Sequence, residues 1–376
     1  MIKQVAVIGS TGSIGQQTLE VIASQSDKFR VVALAAGENL ELLNDQIRQF
    51  QPEMVALAKS VSPERVNHPK PLFGADCLNE IVSYPNVDIV VIATPGRAGL
   101  LPTLSAIRAG KCIALSNKEV LVMAGEIIMS EAQKYGSEIR PVDSEHSAIW
   151  QCIQGEGSES ISKLWLTASG GPFREFPIEK LKTVTSSEAL NHPNWKMGQK
   201  VTIDSATLMN KGFEVIEAHW LFGMSYERIE VLIHPESMIH SMVEFMDGSI
   251  KAQIGAPDMR LPIQYALNFP ERVPNNYRRM NWLNGQSLNF KQPDIDRFPC
   301  LALAFKAGRA GGTYPAVLSA ADEIAVELFL QNKIDFIQIA TILKKTLDSH
   351  SSVQNPQIED ILAADIWGRD FALSLV

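Results

Sequence analysis

Fully apolar runs alternate with stretches of helical period along the first part of the chain, and that alternation predicts parallel strands joined by helices. Val5-Ala6-Val7-Ile8 is the first run, and helical character follows over residues 16–23. Phe29–Ala36 reads as a second strand, Leu40–Phe50 as a helix and residues 54–58 as a third strand. Residues 87–94 form another buried strand, 98–109 a helix, and 112–116 and 139–142 two more strands. Strands that are apolar at consecutive positions are covered on both faces, which is the setting of a parallel sheet.

Past residue 154 the pattern changes. Residues 155–160 are a loop and 161–166 a strand; Ile229–Ile233, 239–246 and 249–254 are further strands, with Asp247-Gly248 as a hairpin signal between the last two. A short helix is expected over 261–267, followed by an aperiodic stretch rich in Pro, Asn and Arg. Apolar residues at helical spacing then fill 302–309, 316–330, 334–347 and 358–371. The expected fold is α/β: an N-terminal Rossmann-type doubly wound sheet over 1–143, a central α/β catalytic domain over 144–268 with a flap near 189–199, a linker over 269–299, and a C-terminal helical bundle over 300–376.

Candidate chemistry sits where strands end. Gly9-Ser10-Thr11-Gly12-Ser13-Ile14-Gly15 follows the first strand and opens a helix, the placement of a dinucleotide-binding turn. Asp143 and Glu145 follow the strand at 139–142, where a turn into a helix lets both carboxylates bend toward one point. With Glu214 they would supply three hard oxygen ligands suited to Mg2+ or Mn2+; the plainer alternative is that they cap the next helix. Between 192 and 214, a loop carrying His192, Trp195 and Met197 precedes a helix that Asp204 or Ser205 would cap. On that helix Asn210, Lys211 and Glu214 fall on one side, although Lys211 and Glu214 also fit an ordinary solvated pair. The small-residue turn at Ser169-Gly170-Gly171 could bring backbone N–H groups and a hydroxyl onto an anion.

Composition narrows the classes. The chain has 376 residues, 45% hydrophobic and 20% charged, as in an ordinary soluble protein, and its net charge of -8 argues against a nucleic-acid partner. The four cysteines, Cys77, Cys112, Cys152 and Cys300, lie far apart, which predicts reduced thiols and no zinc site. The N-terminal residues enter a strand without a leader, and no apolar run reaches membrane-spanning length, so a cytoplasmic protein with no membrane partner is expected.

The motifs GSTGSIG, SNKE, PVDSEHSAIWQ, ASGGPFR, HPNWKMG and DSATLMNKGFEVIEA, in this order and over nearly the whole chain, closely resemble those of the 1-deoxy-D-xylulose 5-phosphate reductoisomerase family. That resemblance implies a metal- and NADPH-dependent enzyme, usually a homodimer. Its reaction rearranges and reduces 1-deoxy-D-xylulose 5-phosphate to 2-C-methyl-D-erythritol 4-phosphate in non-mevalonate isoprenoid synthesis. It implies Asp143, Glu145 and Glu214 as ligands of Mg2+ or Mn2+, with Lys118 and Ser144 contacting substrate beside them. Ser169, Ser205, Asn210 and Lys211 would form the phosphate pocket, His192 would close over the substrate, and Trp195 and Met197 would be the flap. NADPH would contact Thr11, Gly12, Ser13, Ile14, Gly37, Asn39, Asn117, Glu119 and Gly198. One position departs from the family's pattern: Glu38 stands where a basic residue near the adenosine 2'-phosphate is common. Two other readings use fewer of these residues: a metal-independent NAD(P) dehydrogenase of a small phosphorylated substrate, and a dinucleotide sensor without chemistry.

Overall fold

The computed structural model describes residues 2–74, 76–195 and 197–376. The chain divides into two compact units: the first takes in the chain up to Val120, with Ile128–Ser147 and Asp258–Tyr277, and the second Leu121–Ile127, Ala148–Pro257 and Arg278–Val376.

The first unit is built on β1 (Lys3–Ile8), β2 (Phe29–Ala36), β3 (Met54–Leu57), β4 (Leu72–Phe73), β5 (Ile89–Ile92), β6 (Cys112–Leu115) and β7 (Ile139–Pro141). They form one sheet in the order β4-β3-β2-β1-β5-β6-β7, with every pairing parallel. The strand order reverses between β1 and β5, and the crevice outside their carboxyl ends is where such sheets receive ligands. Val5 and Val7 lie in a core with Leu19, Ile22, Leu34 and Val91, each buried side chain contributing roughly 1.5–3 kcal/mol. Ile263, Ala266 and Leu267 of the helix Arg260–Asn268 join this core, and Arg140 donates to Ala266 O at 2.9 Å. That helix was expected with the central segment. Its period announces a buried face but does not say which core receives it.

In the second unit β8 (Ile161–Ala168), β9 (Ile229–Ile233), β10 (Ile239–Phe245) and β11 (Ile250–Ile254) form a mixed sheet in the order β11-β10-β8-β9. Strand β9 runs parallel to β8, while β10 is antiparallel to both β8 and β11. Leu164 and Leu166 of β8 share a core with Phe213 and Ile216 and with Leu301, Ala304, Val317 and Leu328. The last four belong to the helices Cys300–Ala310 and Tyr314–Leu330, which with Phe336–Ser349 and Ile358–Ser374 make up the expected helical tail. Strand β11 is an edge, and Met246, Ile250 and Ile254 on and beside it are exposed.

Among the described residues no helix is long and apolar enough to cross a membrane. The cysteines are free thiols, and burial pushes Cys77 and Cys112 up to about 11.

Candidate active site

In the first unit the turn after β1 is closed by a backbone contact that only glycine allows. A Cβ on Gly15 would lie 2.2 Å from Gly9 O. The helix Ser13–Ala23 therefore starts directly on the turn, with Gly12 as its N-cap and no side-chain cap. Its first N–H groups, those of Ser13 and Ile14 among them, lack intrahelical partners and suit a diphosphate. After β2, the Asn39 side chain accepts from Leu42 N at 3.1 Å and caps the helix Leu40–Phe50. Glu38, between Gly37 and Asn39, is exposed and pairs with Lys59 at 3.5 Å. Lys59 was not anticipated from sequence. The parallel register Ala36↔Leu57 carries it to the same end of the sheet, where its N–H donates to Gly37 O at 3.1 Å.

The ends of β6 and β7 bring the next group together. Asn117 Nδ2 donates to Gly96 O at 2.8 Å, tying the turn after β6 to the one after β5. Lys118 is the N-cap of the helix Glu119–Tyr135, which Glu119 opens. Its ammonium forms an ion pair with Asp143. Ser144 N donates to Asp143 Oδ1 at 2.9 Å, and Ser144 Oγ donates to Glu145 Oε2 at 2.6 Å. Both carboxylates are thus held by donors and are competent oxygen ligands for a hard cation.

The second unit supplies the remaining residues, with one correction. Ser205 does not begin a helix: it lies inside Gln199–Thr207, whose N-cap is Gly198. Leu208, at φ +63°, interrupts the chain, and a second helix runs over Met209–Phe222. A leucine in the left-handed region costs roughly 1–2 kcal/mol. Because Leu is a good helix former, its local sequence gives no sign of the break. The break gives Asn210 and Lys211 a first turn of their own and puts Glu214 one turn further on. Asn210 Nδ2 donates to Glu214 Oε1, and the Lys211 ammonium contacts Glu214 Oε2 and donates to Thr167 O at the end of β8. Lys211 and Glu214 are buried, so the solvated-pair reading does not hold for them.

In the same unit, Ser169 Oγ meets His192 Nε2 at 3.0 Å, and the same nitrogen meets Ser205 Oγ at 3.1 Å. Gly171, at φ +70°, donates its N–H to Ser169 Oγ at 3.2 Å. Burial, and secondarily the Arg174 charge, lower the His192 imidazole to about 4. It is therefore neutral at neutral pH. Its contribution to stability is complete above the unfolded value of 6.5 and is lost as pH falls toward 4. The loop over 192–198 is anchored by Asn194, whose Nδ2 donates to Pro235 O at 2.6 Å and Ser237 Oγ at 2.8 Å. Trp195 is half-buried, its ring edge-on to His240 at 6.2 Å, and Met197 is also half-buried. Lys196, within the expected flap, lies outside the described residues. The anchoring role of Asn194 and the cation at Arg174 were not foreseen; no sequence motif distinguishes them from loop polarity.

Comparison with known proteins follows the same lines. Residues 5–125 match the 1-deoxy-D-xylulose 5-phosphate reductoisomerase family, residues 139–222 the C-terminal domain of that reductoisomerase, and residues 254–371 a further DXP reductoisomerase C-terminal domain. The 1-deoxy-D-xylulose 5-phosphate reductoisomerase of Pelotomaculum thermopropionicum is 52% identical over 100% of this chain and 98% of its own length. The solved reductoisomerase from Zymomonas mobilis in complex with NADPH superimposes with a TM-score of 0.91 at 41% identity, covering 100% of this chain and 99% of that one. A DOX-P reductoisomerase in complex with NADPH, fosmidomycin and magnesium gives a TM-score of 0.93 at 41% identity, covering 99% and 98%.

Proposed function

Because the chain belongs to the 1-deoxy-D-xylulose 5-phosphate reductoisomerase family, we propose that it converts 1-deoxy-D-xylulose 5-phosphate to 2-C-methyl-D-erythritol 4-phosphate, with NADPH and magnesium, in non-mevalonate isoprenoid biosynthesis. The observation that carries this reading is the presence, on one chain, of an uncapped dinucleotide turn and of the Ser169, His192 and Ser205 cluster, with Lys211 bonded to Thr167 O two residues before Ser169. Asp143, Glu145 and Glu214 are the metal ligands in this proposal, and manganese fits the same oxygen donors. When bound, the cation polarises the substrate's vicinal carbonyl and hydroxyl oxygens while NADPH provides the hydride. Lys118 and Ser144 orient the substrate next to those carboxylates. Ser169, Ser205, Asn210 and Lys211 hold its phosphate by hydroxyl, amide and ammonium donors, and the phosphate's binding energy fixes the reacting carbons. Oxidation of NADPH dependent on the phosphorylated ketose and abolished by EDTA tests the reading. Metal-independent turnover would favour the plain dehydrogenase, and no turnover the sensor.

NADPH contacts fall to Thr11, Gly12, Ser13, Ile14, Gly37, Glu38, Asn39, Asn117, Glu119 and Gly198 in the same proposal. The Glu38–Lys59 pair bears on the adenosine end, since Lys59 offsets the carboxylate that would repel a 2'-phosphate. The parent should prefer NADPH, and Glu38→Lys should widen that preference several-fold. Catalytic efficiencies with both cofactors measure it; a parent that prefers NADH would overturn the assignment.

Trp195 and Met197 act as a lid over the substrate, with Trp195 resting on His240. Trp195→Ala should lower kcat/KM by at least tenfold and leave the melting temperature within a few degrees, because a half-buried loop residue contributes little to the core. Parent-like kinetics with a large loss of stability would make it a core residue instead.

The protein acts in the cytoplasm in this reading, as its free thiols favour. It acts as a homodimer: an edge strand that exposes Ile250 and Ile254 is the kind of surface a second copy covers. Sedimentation should give a dimer at micromolar concentration and a smaller species for Ile250→Lys; a monomeric parent would refute this.

A further inference from the structure

A cation that the proposed chemistry leaves unused lies behind the loop carrying Ser169. Arg174 Nη1 donates to Gly171 O at 3.3 Å. The N–H of the same glycine reaches Ser169 Oγ, and that hydroxyl reaches His192 Nε2. The guanidinium therefore sits at one end of a hydrogen-bonded line that leads to the imidazole and, through it, to Ser205. Arg174 also lines a cavity with Lys291 and Arg297. Those two cations are matched, Lys291 by Glu175 at 3.1 Å and Arg297 by Asp294 at 2.7 Å. Among the described residues Arg174 forms no ion pair, and its charge is felt by the adjacent Glu175 carboxylate as well as by His192.

The other face of His192 meets the flap. Asn194 N and Trp195 N both donate to His192 Nδ1, at 3.2 and 3.0 Å. A nitrogen that accepts cannot also carry a hydrogen, so the neutral ring bears its hydrogen on Nε2, the side of Ser169 and Ser205. Protonating Nδ1 would set an N–H against two N–H donors and break the flap's hold on the ring.

We propose that Arg174 is a positioning residue: it fixes the loop behind Ser169 and sets a cation near His192, so that the imidazole accepts from the flap backbone while donating toward the substrate phosphate. Phosphate recognition and flap closure are then coupled through the two nitrogens of one ring. The groups facing His192 are Ser169 and Arg174 from the loop after β8, Ser205 from the helix Gln199–Thr207, and the backbone N–H groups of its own loop. Burial is the larger cause of the ring's lowered value and Arg174 the charge that adds to it. The inference rests on the phosphate reading given above.

The test follows the His192 ring resonance against pH in the ligand-free enzyme, assigned by its loss in His192→Asn, for the parent, Arg174→Met and Arg174→Lys. Arg174→Met should raise the titration midpoint by about one pH unit, and Arg174→Lys should return it toward the parent. The acid limb of kcat/KM should move with the midpoint. At alkaline pH, KM for the phosphorylated substrate should rise several-fold in Arg174→Met with a smaller change in kcat. An unmoved midpoint and superimposable pH profiles would overturn the proposal, and Arg174→Gln replaces the Met variant if that one does not fold. Ser205→Ala separates the two readings: if its KM equals the parent's while Arg174→Met still shifts the midpoint, the phosphate assignment fails and the Arg174 effect on His192 stands.

Discussion

Glu214→Gln should lose about 10³-fold in kcat while still binding NADPH, because a ligand's negative charge is removed and its shape kept. Glutamine retains one oxygen but cannot balance a divalent cation. The same change leaves the buried Lys211 ammonium without its carboxylate, with Asn210 and Thr167 O as neighbours. Breaking a buried pair from one side costs about 3–5 kcal/mol, so a fall in melting temperature should accompany the kinetic loss. Lys211→Met separates the two effects, since it removes the cation and keeps the carboxylate. It should lose stability comparably, raise KM for the phosphorylated substrate, and keep its dependence on magnesium. NADPH oxidation titrated with magnesium, with EDTA as control, is the measurement. A Gln variant as active as the parent would remove Glu214 from the proposed ligands.

Gly171→Ala should damage the phosphate side by a purely steric route. A Cβ at this residue would lie 2.6 Å from Ser205 O and 2.9 Å from Ala206 Cα, and backbone atoms inside a helix cannot yield. The φ of +70° adds about 1–3 kcal/mol of strain for any residue with a side chain. The loop must withdraw from the helix Gln199–Thr207, taking Ser169 away from His192 and Ser205. KM for the phosphorylated substrate should rise by about two orders of magnitude, or roughly 2.7 kcal/mol of lost binding. Gly155→Ala is the control, because Gly155 is also left-handed at φ +81° but has nothing within 4 Å of the added carbon. Equal effects of the two substitutions on KM would show that the close approach at Gly171 is unimportant.

Much of this fold was legible because parallel strands buried on both faces leave uninterrupted apolar runs, as in Val5-Ala6-Val7-Ile8, and because the four tail helices are long and strongly periodic. The short strand Leu72–Phe73 and the helix Cys77–Val82 were too brief to leave a period. The break at Leu208 was hidden for a different reason: tertiary packing holds a good helix former in a left-handed turn, against its local preference. At the candidate site, the motif residues were legible as residue types at strand ends and at a helix start. Partners set by register or by loop closure, such as Lys59 with Glu38 and Arg174 with Gly171, were not. Pairings of that kind depend on which distant segments the fold brings side by side.

If the proposed homodimer forms across the open edge at β11, folding is tied to mass action. A second copy covering Ile250 and Ile254 would bind the folded chain and not the unfolded one, so its free energy of association would add to the stability of each protomer. The melting temperature should then climb with protein concentration and be lowest in dilute assay samples. Substitutions on β11, far in sequence from every motif of the site, would shorten the enzyme's working life on dilution without touching a reacting atom.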